Sequence, residues 1–378
     1  MGHRVATGER PVTTCPLRRT GERPLGENDV GLDNIRLGLA FDDVLLVPRR
    51  SSVRSRQDVS LETRFSRNIR LQVPVVAANM DTVCEARMAI AVANEGGIGI
   101  LHRFLPIEDQ GQMVREVKER GLLVGAAVGT NEDFLDRSKA LVAAGVDALV
   151  LDIAHGHAEH SIQAVRSIKV EFGADVDVVA GNVATRAGAE DLIEAGADAI
   201  KVGVGPGGVC TTRIVAGVGV PQLTAVADVA GIAVPLIADG GIRRSGDIAK
   251  ALAAGADTVM IGSMFAGTAE SPGQVEMSDR GLVKMIRGMS THEAVLDRAV
   301  RTGETVDDEY FEQRAPEGVS GQVPYRGAVG KLIRQLMGGV KSSMSYMDAR
   351  TIPELWENAE FIRVTSAGIV ESQPHATF

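Results

Sequence analysis

The sequence predicts an α/β protein folded as a (β/α)8 barrel, and three observations lead there. Eight short, mostly apolar segments recur between residues 74 and 261. Segments of helical period separate them, several closed by an alanine-glycine step that suits a left-handed helix cap. Polar side chains collect where the apolar segments end, the rim on which such barrels carry their chemistry. Strand and helix alternating in this way describe a barrel or, failing that, a doubly wound sheet.

The eight expected strands are Pro74–Ala78, Gly97–Leu101, Leu122–Val128, Ala148–Ile153, Val176–Ala180, Ala199–Val204, Val234–Ala238 and Thr258–Ile261. Helices are expected over Glu85–Asn94, Phe134–Ala143, Ile162–Val170, Ala187–Glu194 and Ser245–Ala253. Hydrophobic residues make up 44% of the 378, aromatics 3%, and there are 43 glycines. That mixture suits Val/Ile/Ala-rich parallel strands joined by tight turns. A barrel takes about 250 residues, leaving room for additions at both ends. Residues 1–35 are polar, rich in Arg, Gly and Pro, and repeat GERP at Gly8 and Gly21, so a disordered tail is expected before a catalytic barrel over 36–378. From about Gly288 to Gly327 the rhythm stops in favour of a charged stretch far longer than a barrel loop, read here as a flap over the active face.

A formal charge of −9 argues against a nucleic-acid partner, because such surfaces work by basic displacement of counterions. No apolar run approaches the ~18 residues of a membrane span. Three cysteines without ligand spacing read as a reducing, cytoplasmic setting.

The chemistry centres on Gly203–Arg213, GVGPGGVCTTR. Its glycines let the backbone approach a ligand, and Cys210 is a soft nucleophile beside the hydroxyls of Thr211 and Thr212. Gly207–Gly208, Gly240–Gly241 and Gly262–Ser263 follow late strands, where barrels assemble phosphate sites from backbone amides. Asp239, just before two of these glycines, suits a bidentate grip on the two hydroxyls of a ribose. Together these groups read as a 5′-nucleotide site. Asp152 ends another strand and could serve a cofactor. His155, His157 and His160 look like metal ligands, but they straddle a strand-to-helix junction without a cysteine, so ordinary loop histidines are expected. Glu317, between Pro316 and Gly318, sits in a turn.

These residues carry a resemblance. FDDVLL at Phe41, ANMDTV at Ala78, AGNV at Ala180, the Cys210 loop, AGVGVPQ at Ala216, ADGGI at Ala238 and MIGS at Met260 are similar to motifs of the IMP dehydrogenase and GMP reductase superfamily, from Phe41 to the C-terminus. The resemblance implies a homotetrameric barrel in which Cys210 attacks carbon 2 of a purine nucleotide and a nicotinamide cofactor exchanges hydride there. It implies that Asp239 holds the ribose and that Gly208, Gly241, Gly262 and Ser263 surround the phosphate. Gly288, Met289 and Ser290 contact the substrate, Asn182 lies near both the base and the cofactor, and Asp152 lies at the cofactor. Carbonyls of Gly203, Gly205, Gly207 and Cys210 are candidates for a potassium ion.

Four features lean toward the reductase and NADPH. The regulatory CBS pair usual in the dehydrogenase would interrupt the chain near Lys118, yet Val117–Leu123 runs through. The dehydrogenase's Arg-Tyr pair is replaced by Glu309-Tyr310, followed by Phe311. EQRAPEG at Glu312 resembles the reductase's EYRASEG and makes Glu317 the acid/base partner of Thr212. GMS at Gly288 and Glu159-His160 look like reductase motifs. AGVGVPQ, HGH at His155, FAGT at Phe265 and ESQPH at Glu371 point toward the dehydrogenase. Gly208 and Ile286 depart from both patterns, standing where a phosphate-binding Ser and an aromatic residue are usual.

Overall fold

All eight expected strands form, and a repeated aspartate sets where several of them begin. In the computed structural model, residues 35–306, 309–310 and 314–374 are described, so the expected tail lies outside them except for Ile35. Gly38–Phe378 is one compact unit, separate from Met1–Leu37. It opens with β1 (Val44–Leu46), followed by the hairpin of β2 (Thr63–Arg64) and β3 (Arg70–Leu71). The barrel strands are β4 (Val75–Ala77), β5 (Ile98–Leu101), β6 (Val124–Val128), β7 (Ala148–Leu151), β8 (Asp177–Val183), β9 (Ala199–Val202), β10 (Leu236–Asp239) and β11 (Thr258–Ile261). They are parallel, and the ring closes where β11 pairs with β4 through Val259–Val75, Met260–Val76 and Ile261–Ala77. Val, Ile, Leu and Ala fill it, nearly all withdrawn from solvent.

The alanine-glycine steps prove to be part of a longer device. Gly145, Gly196 and Gly255 all take positive φ, between 90° and 112°, ending their helices. Two residues on, Asp147, Asp198 and Asp257 each accept a hydrogen bond from the first or second amide of the preceding strand: Val124 at 2.9 Å, Val178 at 3.0 Å and Leu236 at 2.9 Å. One short sequence motif thus stops a helix, turns the chain and sets the register of a strand pair. The β2–β3 hairpin covers this same amino-terminal rim, with Ser66 and Asn68 donating to Asp177 and Thr63 to the Asp257 carbonyl.

The stretch after the barrel differs from expectation. It is not irregular, and it begins before Gly288. β12 (Glu276–Ser278), β13 (Gly281–Arg287) and β14 (Ser320–Pro324) form an antiparallel sheet, and helix His292–Thr302 lies between the last two. Within β13 Lys284 is 1% exposed, next to buried Val283, and donates to the carbonyls of Thr268 and Ser271 at 3.1 and 2.7 Å. Burial pushes this ammonium below its ordinary value. The flap is thereby pinned to the loop after β11. Helix Val329–Tyr346 returns along the barrel, and β15 (Phe361–Arg363) pairs antiparallel with β1. Among the described residues no helix is long and apolar enough to cross a membrane.

Replacing Asp198 by alanine should strand a buried strand amide and cost about 1–3 kcal/mol of stability. A urea titration showing no loss would remove the motif from the account of register.

Candidate active site

The cysteine loop leaves β9 under tight backbone constraint. A Cβ on Gly203, at φ 150°, would lie 2.1 Å from the Asp239 carbonyl oxygen, so only glycine lets β9 and β10 approach this closely. The chain then turns so that the Cys210 amide donates to the Gly207 carbonyl at 3.1 Å. The Cys210 Sγ lies 3.2 Å from Thr212 Oγ1 and is half-buried. Cys84, by contrast, is wholly enclosed, and burial pushes its thiol up.

Backbone hydrogen bonds stitch this loop to the flap. Thr211 N–H donates to the Glu317 carbonyl and Val319 N–H to that of Val209, each at 2.9 Å, while Cys210 and Gly318 form an antiparallel bridge. Glu317 therefore stands beside the cysteine loop although over a hundred residues separate them in sequence.

Cys210, Thr212 and Glu317 share one cavity of about 500 Å3 with Asp152, Asn182 and Asp239. Gly207 and the run Gly288–Ser290 complete part of its wall. The remaining expected phosphate residues gather just outside it. A Cβ on Gly208 would meet Ser263 Oγ at 2.9 Å, and one on Gly240 would meet Pro206 Cγ at 2.9 Å and Gly207 N at 3.2 Å. Gly241 also faces Pro206, while Gly262 faces Met80. The ends of β9, β10 and β11 thus bring together the glycines that the sequence scatters over more than fifty residues.

Sequence reasoning missed Lys201. Its side chain is almost fully buried on β9, yet its Nζ lies 2.6 Å from Asp239 Oδ2 and donates to Asn182 Oδ1. Asn182 Nδ2 in turn donates to the Gly203 carbonyl at 2.7 Å and to Asp239 Oδ2 at 2.9 Å. Both amide protons of Asn182 bond the protein, and Oδ2 of Asp239 accepts from Lys201 and Asn182. The available signal was a lysine inside an otherwise apolar barrel strand.

At the cavity mouth Arg103 pairs with Asp152 at 3.2 Å. Arg103 and Arg298 each lie 5.4 Å from the Phe104 ring. Arg314 lies 4.2 Å from the centroid of Tyr310 and donates to its hydroxyl at 2.7 Å. An Arg-Tyr contact therefore exists on the flap, supplied from four residues further along and not from position 309. Phe311, Glu312 and Gln313 lie outside the described residues. Flap and barrel are also joined by Arg287, which pairs with Asp81 and Asp297, and by Glu85, which faces buried His102 at 3.4 Å and Arg301 at 3.8 Å.

Of the four carbonyls expected to hold potassium, those of Gly203 and Gly207 each accept a hydrogen bond. Gly203 accepts from Asn182, Gly207 accepts from the Cys210 amide, and a Cβ on Gly205 would lie 2.6 Å from the Arg213 side chain. The Arg213 guanidinium bonds the Val204 and Val220 carbonyls, bracing the loop from within. His157 bonds Asp191 at 2.7 Å, and among the described residues there is no group of three His, Cys, Asp or Glu that could hold a metal.

The family profile described as "IMP dehydrogenase / GMP reductase domain" matches residues 38–375. The chain is 42% identical to an inosine-5′-monophosphate dehydrogenase from Cryptosporidium parvum, over 92% of this chain and 97% of that one. It is 38% identical to a GMP reductase from Leishmania major, over 89% of this chain and 96% of that one. Among solved structures, a GMP reductase variant from Trypanosoma brucei in complex with guanosine 5′-monophosphate aligns with TM-score 0.84 and 38% identity, covering 92% of this chain and 99% of that one. The Leishmania alignment spans 476 positions and the Cryptosporidium one 399, against 378 residues here. The longer alignment belongs to a reductase and the shorter to a dehydrogenase, so alignment length does not separate the two activities.

The hydrogen bond from His102 holds the Glu85 carboxyl below its ordinary value of 4.5, against the opposing effect of burial and with help from the charges of His102 and Arg301. Stability carried by ionised Glu85 is present above that value and lost as pH falls through its lower folded one. Wild type should therefore lose up to about 1 kcal/mol more than Glu85→Gln on acidification below 4.5. Unfolding curves with identical pH dependence would count against the contact.

Proposed function

The chain belongs to the IMP dehydrogenase / GMP reductase family, oxidoreductases of purine nucleotides that use nicotinamide cofactors, and within it we propose a GMP reductase that converts GMP to IMP and ammonia with NADPH. What carries this reading is the contact between the cysteine loop and Glu317: the flap's acid is hydrogen-bonded through its own backbone to Thr211, one residue from the nucleophile.

In the proposed reaction Cys210 Sγ attacks carbon 2 of the guanine, and the carbon–nitrogen bond to the exocyclic amine breaks. Thr212 Oγ1, 3.2 Å from the sulfur, and Glu317 on the same cavity wall deliver the proton with which ammonia leaves. The purine is then held as a thioether-linked adduct, so one hard exchange becomes two easier steps. When bound, a nicotinamide cofactor would supply the hydride that carbon 2 accepts, with Asp152 and Arg298 among the residues that would hold it. Return of the electron pair to Cys210 Sγ frees IMP. Asp239 Oδ1 orients the sugar, and the amides around Gly208, Gly241 and Ser263 receive the phosphate.

The cavity's outer wall suits such a dinucleotide. Arg298 bonds Glu304 but its Nε is buried without a partner among the described residues, Arg103 lies as close to the Phe104 ring while pairing with Asp152, and all three line the cavity. On binding, Arg298 Nε would reach a phosphate, and the Arg103–Asp152 pair would open to offer a guanidinium to a phosphate and a carboxylate to a donor group.

One observation favours a second reading. Arg314 stacked on Tyr310 restores, from a different position, the kind of guanidinium-phenol pair by which the dehydrogenase activates water, which would suit oxidation of IMP with NAD.

Mixing the protein with GMP and NADPH, and separately with IMP and NAD, and following absorbance of the reduced cofactor should show consumption in the first mixture and no production in the second. The reverse result would make the chain a dehydrogenase. Cys210→Ser should lower turnover by more than about 10³-fold while retaining nucleotide binding. Glu317→Gln should slow ammonia release by about 10²–10⁴-fold. Normal ammonia release by that variant would remove Glu317 from the scheme.

A further inference from the structure

We propose that Lys201 is the positioning residue that makes the site selective for a ribose, acting through Asp239 and Asn182. This rests on the reading that a purine nucleotide places its sugar on Asp239. Lys201 is 3% exposed and sits in β9 between Ile200 and Val202, which are fully buried. Placing an ammonium there is costly unless it is paired and hydrogen-bonded. Any apolar residue would serve barrel packing, so the ammonium calls for a polar purpose.

Its partners show that purpose. An ammonium only donates, so it selects the carbonyl end of the Asn182 amide and fixes which way that amide faces. With Oδ1 on Lys201, the two Nδ2 protons fall on the Gly203 carbonyl and on Asp239 Oδ2, both acceptors. A flipped amide would set NH2 against NH3+ and oxygen against two oxygens. Lys201 and Asn182 thus hold Oδ2 of Asp239 from two sides, at 2.6 and 2.9 Å, and the carboxylate can neither rotate nor exchange its oxygens without breaking both contacts. Oδ1 accepts no hydrogen bond from the described residues, while Asp239 and Lys201 both line the cavity that holds Cys210. The free oxygen is presented to the ligand in one orientation, set before the ligand arrives.

A carboxylate held this way discriminates in favour of sugar hydroxyls, because a ligand without them leaves a partly buried charge unpaired. The property is separable from catalysis. Binding can be measured by calorimetry with GMP and with its 2′,3′-dideoxy analogue, independent of cofactor and of reaction direction. Wild type should prefer GMP by about 10–100-fold. Lys201→Met should reduce that preference to less than about threefold, as should Asp239→Asn, and the double variant should show no further loss because both act through one oxygen.

Equal weakening of both ligands by Lys201→Met would mean a merely structural lysine and overturn the proposal, as would an unchanged preference or additive effects in the double variant. Lys201→Gln, which retains one donor for Asn182, carries the same test should the methionine variant fail to fold, with an intermediate preference expected and an unchanged one fatal. If wild type itself ignores the sugar hydroxyls, the placement of the ribose on Asp239 fails first and the role of Lys201 with it. A preference present in wild type and untouched at Lys201 refutes the lysine alone.

Discussion

The pairing of β11 with β4 is the constraint on which the rest depends. Three residue pairs join the last strand to the first, and they turn a sheet with two open edges into a ring without any. Once the ring is closed, the positions of its eight strand ends are no longer independent. Asn79, Asn182, Cys210 and Asp239 end up around one cavity because the strands that carry them stand on one closed circle. The aspartates at the opposite rim matter for the same reason. By tying β6 to β7, β8 to β9 and β10 to β11 at their starts, they determine how far each strand reaches at its finish.

Within that frame the site divides into a stiff part and an added part. The stiff part is Lys201, Asn182 and Asp239, a charged group inside a barrel whose low polarity strengthens every contact among its members. The added part is the flap, anchored through buried Lys284 and held on the barrel by ion pairs of Arg287 and Glu85. Glu317 belongs to the flap, and Cys210 to the barrel. The backbone bonds between their two segments connect what the sequence keeps apart.

Much of this was legible in the sequence. Short apolar segments at even spacing identified every barrel strand, since parallel strands covered on both faces need no polar alternation. The glycine-rich cysteine loop and the glycines after β10 and β11 were legible because close approach of a ligand demands residues without side chains. Lys201 was not: within Ala199–Val202 a single lysine looks like a strand end, and only coordinates reveal partners on two other strands. The flap sheet escaped for a different reason. β12 and β13 interrupt short apolar stretches with charged residues, a signal weaker than the barrel's apolar runs, and Lys284 occupies a buried position where apolar character is expected.

The bridge between Cys210 and Gly318 also bears on how this family could diversify. Residues 317–319 supply carbonyl and amide groups to the cysteine loop, whatever side chains they carry. Side chains of residues 318 and 319 do not enter that short ladder, whereas insertions or deletions between β14 and Glu317 would shift the nucleophile's support. A lineage can therefore trade one chemistry for another by point replacement at the flap tip, and length changes are tolerated only on the far side of the ladder.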